Sequence, residues 1–287
     1  MTKFNKETIL EMAQKYVGTE INQVTVESVE YVEVPKNNGI REGIMIRLSN
    51  DIAPTIYTDS VKDEMDFYFT IEQAIDSASQ QSVEKITGDI SDRTRWRLSA
   101  VNYEKCTENG YLKDKAFVKV LDMAFIPTVD FEKGSCKLSE KALEAIDVSI
   151  SEFVKVATRN TKITVHSLQS VLMDLMKEDG DMLDDEIISE MCIPEDDGLM
   201  SVAIDPSGHY GTTIFVNENL LQETREKLGD FYIIPSSVHE VLLVKADTTS
   251  GEDLRNIIGE VNTNVLAPED FLSNNAYIYN GELQIAS

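Results

Sequence analysis

Apolar residues recur along this chain at two spacings, one near four and one near two, and the switches between them mark out its elements. Residues 5 to 17 carry Ile9, Met12, Ala13, Tyr16 and Val17 at helical spacing, with Gly18 as the stop. Val24, Val26, Val29, Tyr31 and Val32 then fall close to a period of two. Ile44, Ile46 and Leu48 do the same beyond the turn signal Lys36-Asn37-Asn38-Gly39, so the pair predicts a β-hairpin. Ile52 to Tyr57 is a third short extended piece, whose Pro54 suits an edge or a strand entrance.

From Asp59 to Thr87 the spacing becomes helical through Phe67, Ile71, Ala74 and Ile75. Asp92 to Cys106 reads as a short helix followed by a strand, and Phe117 to Ile126 as one strand leading to Pro127. Leu138 to Thr158 reads as a helix with Leu143, Ile146, Ile150 and Phe153 on one face, and Val165 to Met176 as another. In the last third the pattern predicts strands over Leu199 to Ile204 and Gly211 to Val216, joined by the turn Asp205-Pro206-Ser207-Gly208. A helix over Glu218 to Leu228, strands over Phe231 to Ile234 and Val238 to Val244, a helix over Glu252 to Val261 and a strand at Tyr277 to Tyr279 follow.

The sum is an α+β chain of mixed or antiparallel sheets with helices packed on one face. An echo between Leu121–Pro127 and Leu199–Pro206 reads either as a duplicated ββα unit or as shared strand chemistry. The pattern divides into an N-terminal α+β module (1–110), a middle ββα and helical module ending in an acidic stretch (111–198), and a C-terminal α+β module (199–287).

Charge changes this picture most. The chain carries 51 Asp and Glu against 26 Lys and Arg, for a net −25. Between Asp174 and Asp197 stand eleven acids and one base, so −10 sits in 24 residues. Such a field repels nucleic acid and anionic lipid and draws basic protein surfaces. Three scattered cysteines, Cys106, Cys136 and Cys192, with no CxxC, exclude a disulfide framework and a cysteine-rich zinc site. No apolar run reaches the ~20 residues that span a bilayer, and the N-terminus lacks the apolar core of a secretory signal. These features predict a cytoplasmic protein.

Phe231-Tyr232-Ile233-Ile234-Pro235-Ser236-Ser237-Val238-His239-Glu240-Val241-Leu242-Leu243-Val244 resembles the hallmark segment of an uncharacterised family. Further matches are Leu254, Glu260-Val261-Asn262, Ala267-Pro268-Glu269, Leu272-Ser273, Tyr277 and Tyr279, and upstream Ile52-Ala53-Pro54-Thr55-Ile56-Tyr57 and Val101-Asn102-Tyr103-Glu104-Lys105. The family comprises cytosolic proteins of low-GC Gram-positive gut bacteria and their plasmids, prophages and other mobile elements. The chain departs from its pattern after Tyr57, where a further aromatic pair is usual. The resemblance implies a mobile-element protein and supplies no catalytic residue.

Motifs for chemistry are few. His239-Glu240 lacks the second histidine one turn on, where Leu243 stands, so it does not form a helical zinc site. His166 and His209 stand apart from it in sequence. Asp179 to Glu190 can be laid over a calcium loop, but Leu183 and Asp184 occupy positions that need a ligand and a glycine. Ser82-Val83-Glu84-Lys85 matches the S-x-x-K of acyl enzymes without its companion motifs. No GxSxG elbow, P-loop or post-strand GxGxxG occurs. Arg93, Arg95, Trp96 and Arg97 form the one basic-aromatic cluster, suited to an internal salt-bridge patch or an interface.

Three readings of function follow. The first is a non-catalytic acidic protein that engages a basic protein partner, as a nucleic-acid mimic or an inhibitor of a host defence complex. Its partner-binding residues would be Glu178, Asp179, Asp181, Asp184, Asp185, Glu186, Glu195, Asp196 and Asp197, with Trp96 and Arg97. The second is an enzyme built on His239 and Glu240, with Asn262 and Tyr103 as further candidates. The third is a structural or assembly protein. None calls for a cofactor, a metal, direct nucleic-acid contact or a membrane.

Overall fold

The computed structural model describes residues 6–131, 134–167, 170, 200–235, 237–264 and 268–286. The acidic stretch, its nine candidate partner-binding carboxylates and the calcium-loop reading lie outside the described residues. So does most of the helix expected over 165–176.

The first sheet has the strand order β1 (Glu20–Ile21), β2 (Val24–Lys36), β3 (Gly39–Leu48), β4 (Thr55–Tyr57). The alternation seen in the sequence sets its faces. Ile44, Ile46 and Leu48 point inward with Val24, Val26 and Ile56. Two helices cover that face: α1 (Lys6–Gln14) through Ile9, Met12 and Ala13, and α2 (Glu64–Ser79) through Phe67, Ile71, Ile75 and Ala78. Asp63 caps α2 by accepting from the Asp66 N–H at 2.9 Å, and Ser82 caps α3 (Val83–Ser91) by accepting from the Lys85 N–H at 3.2 Å. Each cap is worth about 1 kcal/mol. The S-x-x-K match is therefore a helix start.

The second sheet has the order β5 (Trp96–Asn102), β7 (Met123–Phe131), β6 (Val118–Val120), with β8 (Gly134–Lys137) also on β7. The single strand expected over 117–126 is a hairpin, turning at Leu121 (φ 55) and Asp122. The single helix expected over 138–158 is two, α5 (Glu140–Ala145) and α6 (Ile150–Asn160), parted at Asp147 (φ 55) and restarted by the Ser149 cap. Between β5 and β6 lies α4 (Tyr103–Glu108).

The third sheet has the order β14 (Leu283–Ile285), β13 (Tyr277–Tyr279), β11 (Phe231–Pro235), β12 (Val241–Lys245), β10 (Met200–Ile204), β9 (Thr164–Ser167). All pairings are antiparallel. Thr164–Ser167 forms its edge strand on β10, where a helix is expected from Val165. Gly211–Val216, expected as a strand, is a 3-10 helix whose first five residues are all buried. So β10 runs on into a 3-10 helix and then α7 (Glu218–Leu228), whereas β7 is followed by β8 and α5. The two echoing segments thus sit in different settings.

The second and third sheets share one core. Trp96, Leu98, Phe125 and Val129 meet Phe215, Phe231, Ile233, Leu243, Tyr277 and Tyr279 there. Their opposite faces are also covered, by α4 with Tyr111 and Leu112 on the second sheet and by α8 (Gly251–Asn264) through Leu254 and Ile258 on the third. Helices lie on one face of the first sheet, while the other two are sheathed on both sides. The β2–β3 tip joins the halves. Asn38 Nδ2 donates to the Phe271 carbonyl at 2.7 Å and Asn37 Nδ2 to that of Glu269, while Asn109 Nδ2 donates to the Lys36 carbonyl at 2.9 Å.

Candidate functional site

A cleft of about 510 Å³ opens where the three sheets converge. The hairpin tip contributes Asn37. The second sheet contributes Ser99, Asp130, Ser135 and Lys137. The connections of the third sheet supply His209 and Tyr210 from the loop after β10, His239 from the loop before β12, and Glu269. Clefts between packed structural units are where ligand sites commonly form.

Backbone packing brings the two histidines together. The Gly211 N–H donates to the His239 carbonyl at 2.7 Å, and Thr212 Oγ1 donates to the Val238 carbonyl at 3.3 Å. A Cβ on Gly211 would lie 2.6 Å from the Ala203 carbonyl oxygen and 2.7 Å from that of His239, so only glycine fits. The imidazoles of His209 and His239 meet edge to face with centroids 5.3 Å apart. His239 Nε2 faces Asp270 Oδ1 at 3.5 Å, and Nδ1 is enclosed without a hydrogen-bond partner. The histidines that stood apart in sequence thus include a spatial pair. Among the described residues no three His, Cys, Asp or Glu side chains gather as metal ligands.

Tyr210 forms the wall beside them. It is buried, and its hydroxyl donates a short hydrogen bond to Asp130 Oδ1, whose Oδ2 stands 3.7 Å from Arg97 Nε. Burial, reinforced by the Asp130 carboxylate, pushes the phenol well above its ordinary range. On β8, Lys137 Nζ donates to Ser135 Oγ at 3.2 Å. Burial pulls that ammonium below the usual lysine range, and the charge of Lys36 pulls it the same way.

The other sequence candidates disperse. Trp96 is buried, stacked on Phe153 at 4.3 Å between ring centroids, with its indole N–H donated to the Ile90 carbonyl at 2.8 Å. Its side chain is a core anchor with no outer face to offer a partner. The arginines around it are internally paired, Arg93 with Glu152 at 2.7 Å, Arg95 with Asp92 at 3.1 Å and Arg97 with Asp130. The salt-bridge reading of that cluster holds, and only Arg97 approaches the cleft. Tyr103 lies under the Lys119 ammonium in a separate groove, and Asn262 Nδ2 donates to the Ser273 carbonyl at 3.0 Å. Glu240 is exposed beside His239 and does not line the cleft. Cys106 and Cys136 are free thiols, both raised by burial.

Sequence reasoning missed Tyr210, Asp130, Ser135, Lys137 and Asp270. Their positions span 130 to 270, and no local spacing links them. The one available signal was the glycine-flanked Gly208-His209-Tyr210-Gly211, which marks a close backbone approach.

The family model of DUF5688, a family of unknown function, matches residues 2–281. The chain belongs to that family. No curated protein and no solved structure matches it. Among the described residues no helix is long and apolar enough to cross a membrane.

Proposed function

We propose that this DUF5688 protein binds a small polar ligand in the cleft, with His209 and His239 as its hydrogen-bonding and proton-transferring groups. The observation that carries this reading is the convergence of two imidazoles, from loops 30 residues apart, over a cleft that Tyr210 also lines, with the Asp270 carboxylate facing one of them. A neutral imidazole both donates and accepts, which suits it to polar recognition and to general acid–base work. The protein carries only three histidines, and His166 lies on the β9 edge outside the cleft, so it is an internal control. Chain labelled with ¹⁵N-histidine would be titrated with mixtures of amino acids, sugars, nucleosides, nucleotides and dicarboxylates. The reading requires one class to move the His209 and His239 signals together while His166 stays. Three histidines that stay still, or all move alike, would overturn it.

A second reading is favoured by the concentration of −10 in the 24 residues from Asp174. In it, a cytosolic, mobile-element-encoded protein presents those carboxylates in place of phosphates to a basic partner in a host defence complex. Such binding weakens steeply with salt. Amide replacements of the nine carboxylates that left every partner bound at low salt would remove it.

A further inference from the structure

The cleft has a second end, and its chemistry differs from that of the histidine pair. Lys137 lines the cleft directly. Lys115 stands behind Tyr111, another lining residue, with Nζ 3.9 Å from the ring centroid and donating to the Tyr111 carbonyl at 2.7 Å. Lys36 adjoins the lining residue Asn37 at the hairpin tip, over the Tyr57 ring at 4.6 Å. Of the three ammonium groups only that of Lys137 is on the cleft wall, and the other two stand behind it. Lys36 acts repulsively on both Lys115 and Lys137, and Lys137 on Lys115.

This is an unusual investment in a chain of net −25. With 51 carboxylates to 26 bases, pairing would be the default for a lysine. Yet among the described residues no salt bridge engages Lys36, Lys115 or Lys137. The carboxylates that act on the half-buried pair, Asp114 and Asp130, act at longer range, and Asp130 is already engaged by Arg97 and Tyr210. Gathering like charges in partly desolvated positions costs folding free energy. That cost is recovered when an anion enters, because its charge-assisted hydrogen bonds are the strong ones and a low-dielectric cleft amplifies them. The Ser135 and Ser99 hydroxyls line the same wall, and of the two carboxylates that also line the cleft, Asp130 is held by Tyr210 and Arg97 while Glu269 is exposed.

We propose that the Lys137 end of the cleft, with Lys36 and Lys115 set behind its wall, is an anion subsite, which seats a phosphate or carboxylate group of a small ligand. This rests on the reading of the cleft as a ligand site and adds the ligand's class. The uncharged part of the ligand would extend toward His209, His239 and Tyr210. Lysine presents a point charge without the planar fork of arginine, so the subsite selects charge and size more than shape.

The test uses the full chain and three probes: inorganic phosphate, citrate, and chloride at matched ionic strength. Calorimetric titration and thermal unfolding should give saturable binding and stabilisation with phosphate or citrate beyond the chloride control. Whichever of the two binds tighter assigns the group. Lys137→Met should weaken that binding roughly tenfold or more, the loss of one hydrogen bond to a charged group. It should also raise or leave unchanged the unfolding temperature of the free protein, since it relieves repulsion. Lys137→Arg should restore most of the binding. Anion binding that survives in the Lys115→Met, Lys137→Met double variant overturns the subsite, as does absence of any effect beyond chloride in the unsubstituted chain. The two readings fail separately. Anion binding with unmoved histidine signals leaves the subsite standing and overturns the role given to the histidines. Histidine shifts with an uncharged ligand and no anion binding do the reverse.

Discussion

Gly211→Ala is the sharpest probe of how the cleft is assembled. The new methyl group would stand 2.6 Å and 2.7 Å from two carbonyl oxygens, those of Ala203 and His239, and 3.0 Å from Glu240 Cα. All three are backbone atoms. Ala203 is locked in β10 by its pairing with both β9 and β12, so it cannot swing aside. The loop carrying His209 must therefore retreat from the loop carrying His239. Overpacking of this kind costs about 1–3 kcal/mol. Retreat also stretches the Gly211 N–H bond to the His239 carbonyl, now 2.7 Å, for about 0.5–1.5 kcal/mol more. The stiffer alanine recovers about 0.4–1 kcal/mol through the unfolded chain. A net loss of about 2 kcal/mol lowers the unfolding temperature by roughly 4–8 °C for a chain of this size. The assay is denaturant unfolding followed by tryptophan fluorescence. The single tryptophan, Trp96, is buried in the same core as Ala203, Ile214 and Phe215, so it reports on this part of the molecule. Gly88→Ala is the control. It lies in α3 with nothing within 4 Å of the added carbon, and should gain about 0.5–1 kcal/mol. If Gly211→Ala unfolds at the same midpoint as the unsubstituted chain, the close approach that builds the histidine pair is not there.

Two further substitutions test the polar framework. Tyr277→Phe removes the hydroxyl that donates to Asp122 Oδ1 at 2.5 Å, while Ser273 and Asn275 hold only Oδ2. A buried bond to a charged group makes this a loss of about 1.5–3 kcal/mol in the same unfolding assay. A change under about 0.5 kcal/mol would show that the tyrosine is packed and not bonded. Arg41→Met tests acid sensitivity, because the Arg41 guanidinium holds the Asp59 carboxyl below its usual range. A lowered folded-state value means the pair stabilises above about pH 4 and loses that contribution as pH falls through the depressed value. Both side chains are substantially exposed, at 39 % and 60 %, so the effect at neutral pH stays under about 1 kcal/mol and fades in salt. Stability profiles of the two proteins that stay parallel from pH 7 to pH 2 would remove it.

Where a local rule decides the structure, the sequence was a sufficient guide. The alternation at Ile44, Ile46 and Leu48 placed β3 and its buried face, and the Lys36 to Gly39 turn placed the hairpin. Gly229, with φ 79, closes α7 where a helix stop is expected. The errors share a cause, which is tertiary contact overruling propensity. Gly211–Val216 is rich in β-branched residues and reads as a strand. It cannot extend, because Gly211 is pressed between the backbones of β10 and the His239 loop, and the helical turn buries Thr212 and Thr213 together. Val165 opens the helix expected over 165–176, yet β10 offers an unpaired edge and takes Thr164 to Ser167 as a strand.

The turn at Leu121–Asp122 shows why a site of this kind resists reading from one sequence. Leucine at φ 55 is a poor turn residue, and nothing in the local pattern marks a reversal. The reversal is held instead by residues 151 to 155 positions away, through Ser273, Asn275 and Tyr277 on Asp122. The same holds for the cleft. The loops of His209 and His239 are joined at Gly211 and Thr212, Asp130 meets Tyr210 across 80 residues, and Asn37 arrives from another sheet. Each polar group there looks like an ordinary surface residue in its own segment. Only the shared backbone approach at Gly211 and the docking of the hairpin tip turn them into one wall, so the chemistry of this protein resides in its long-range register more than in any motif.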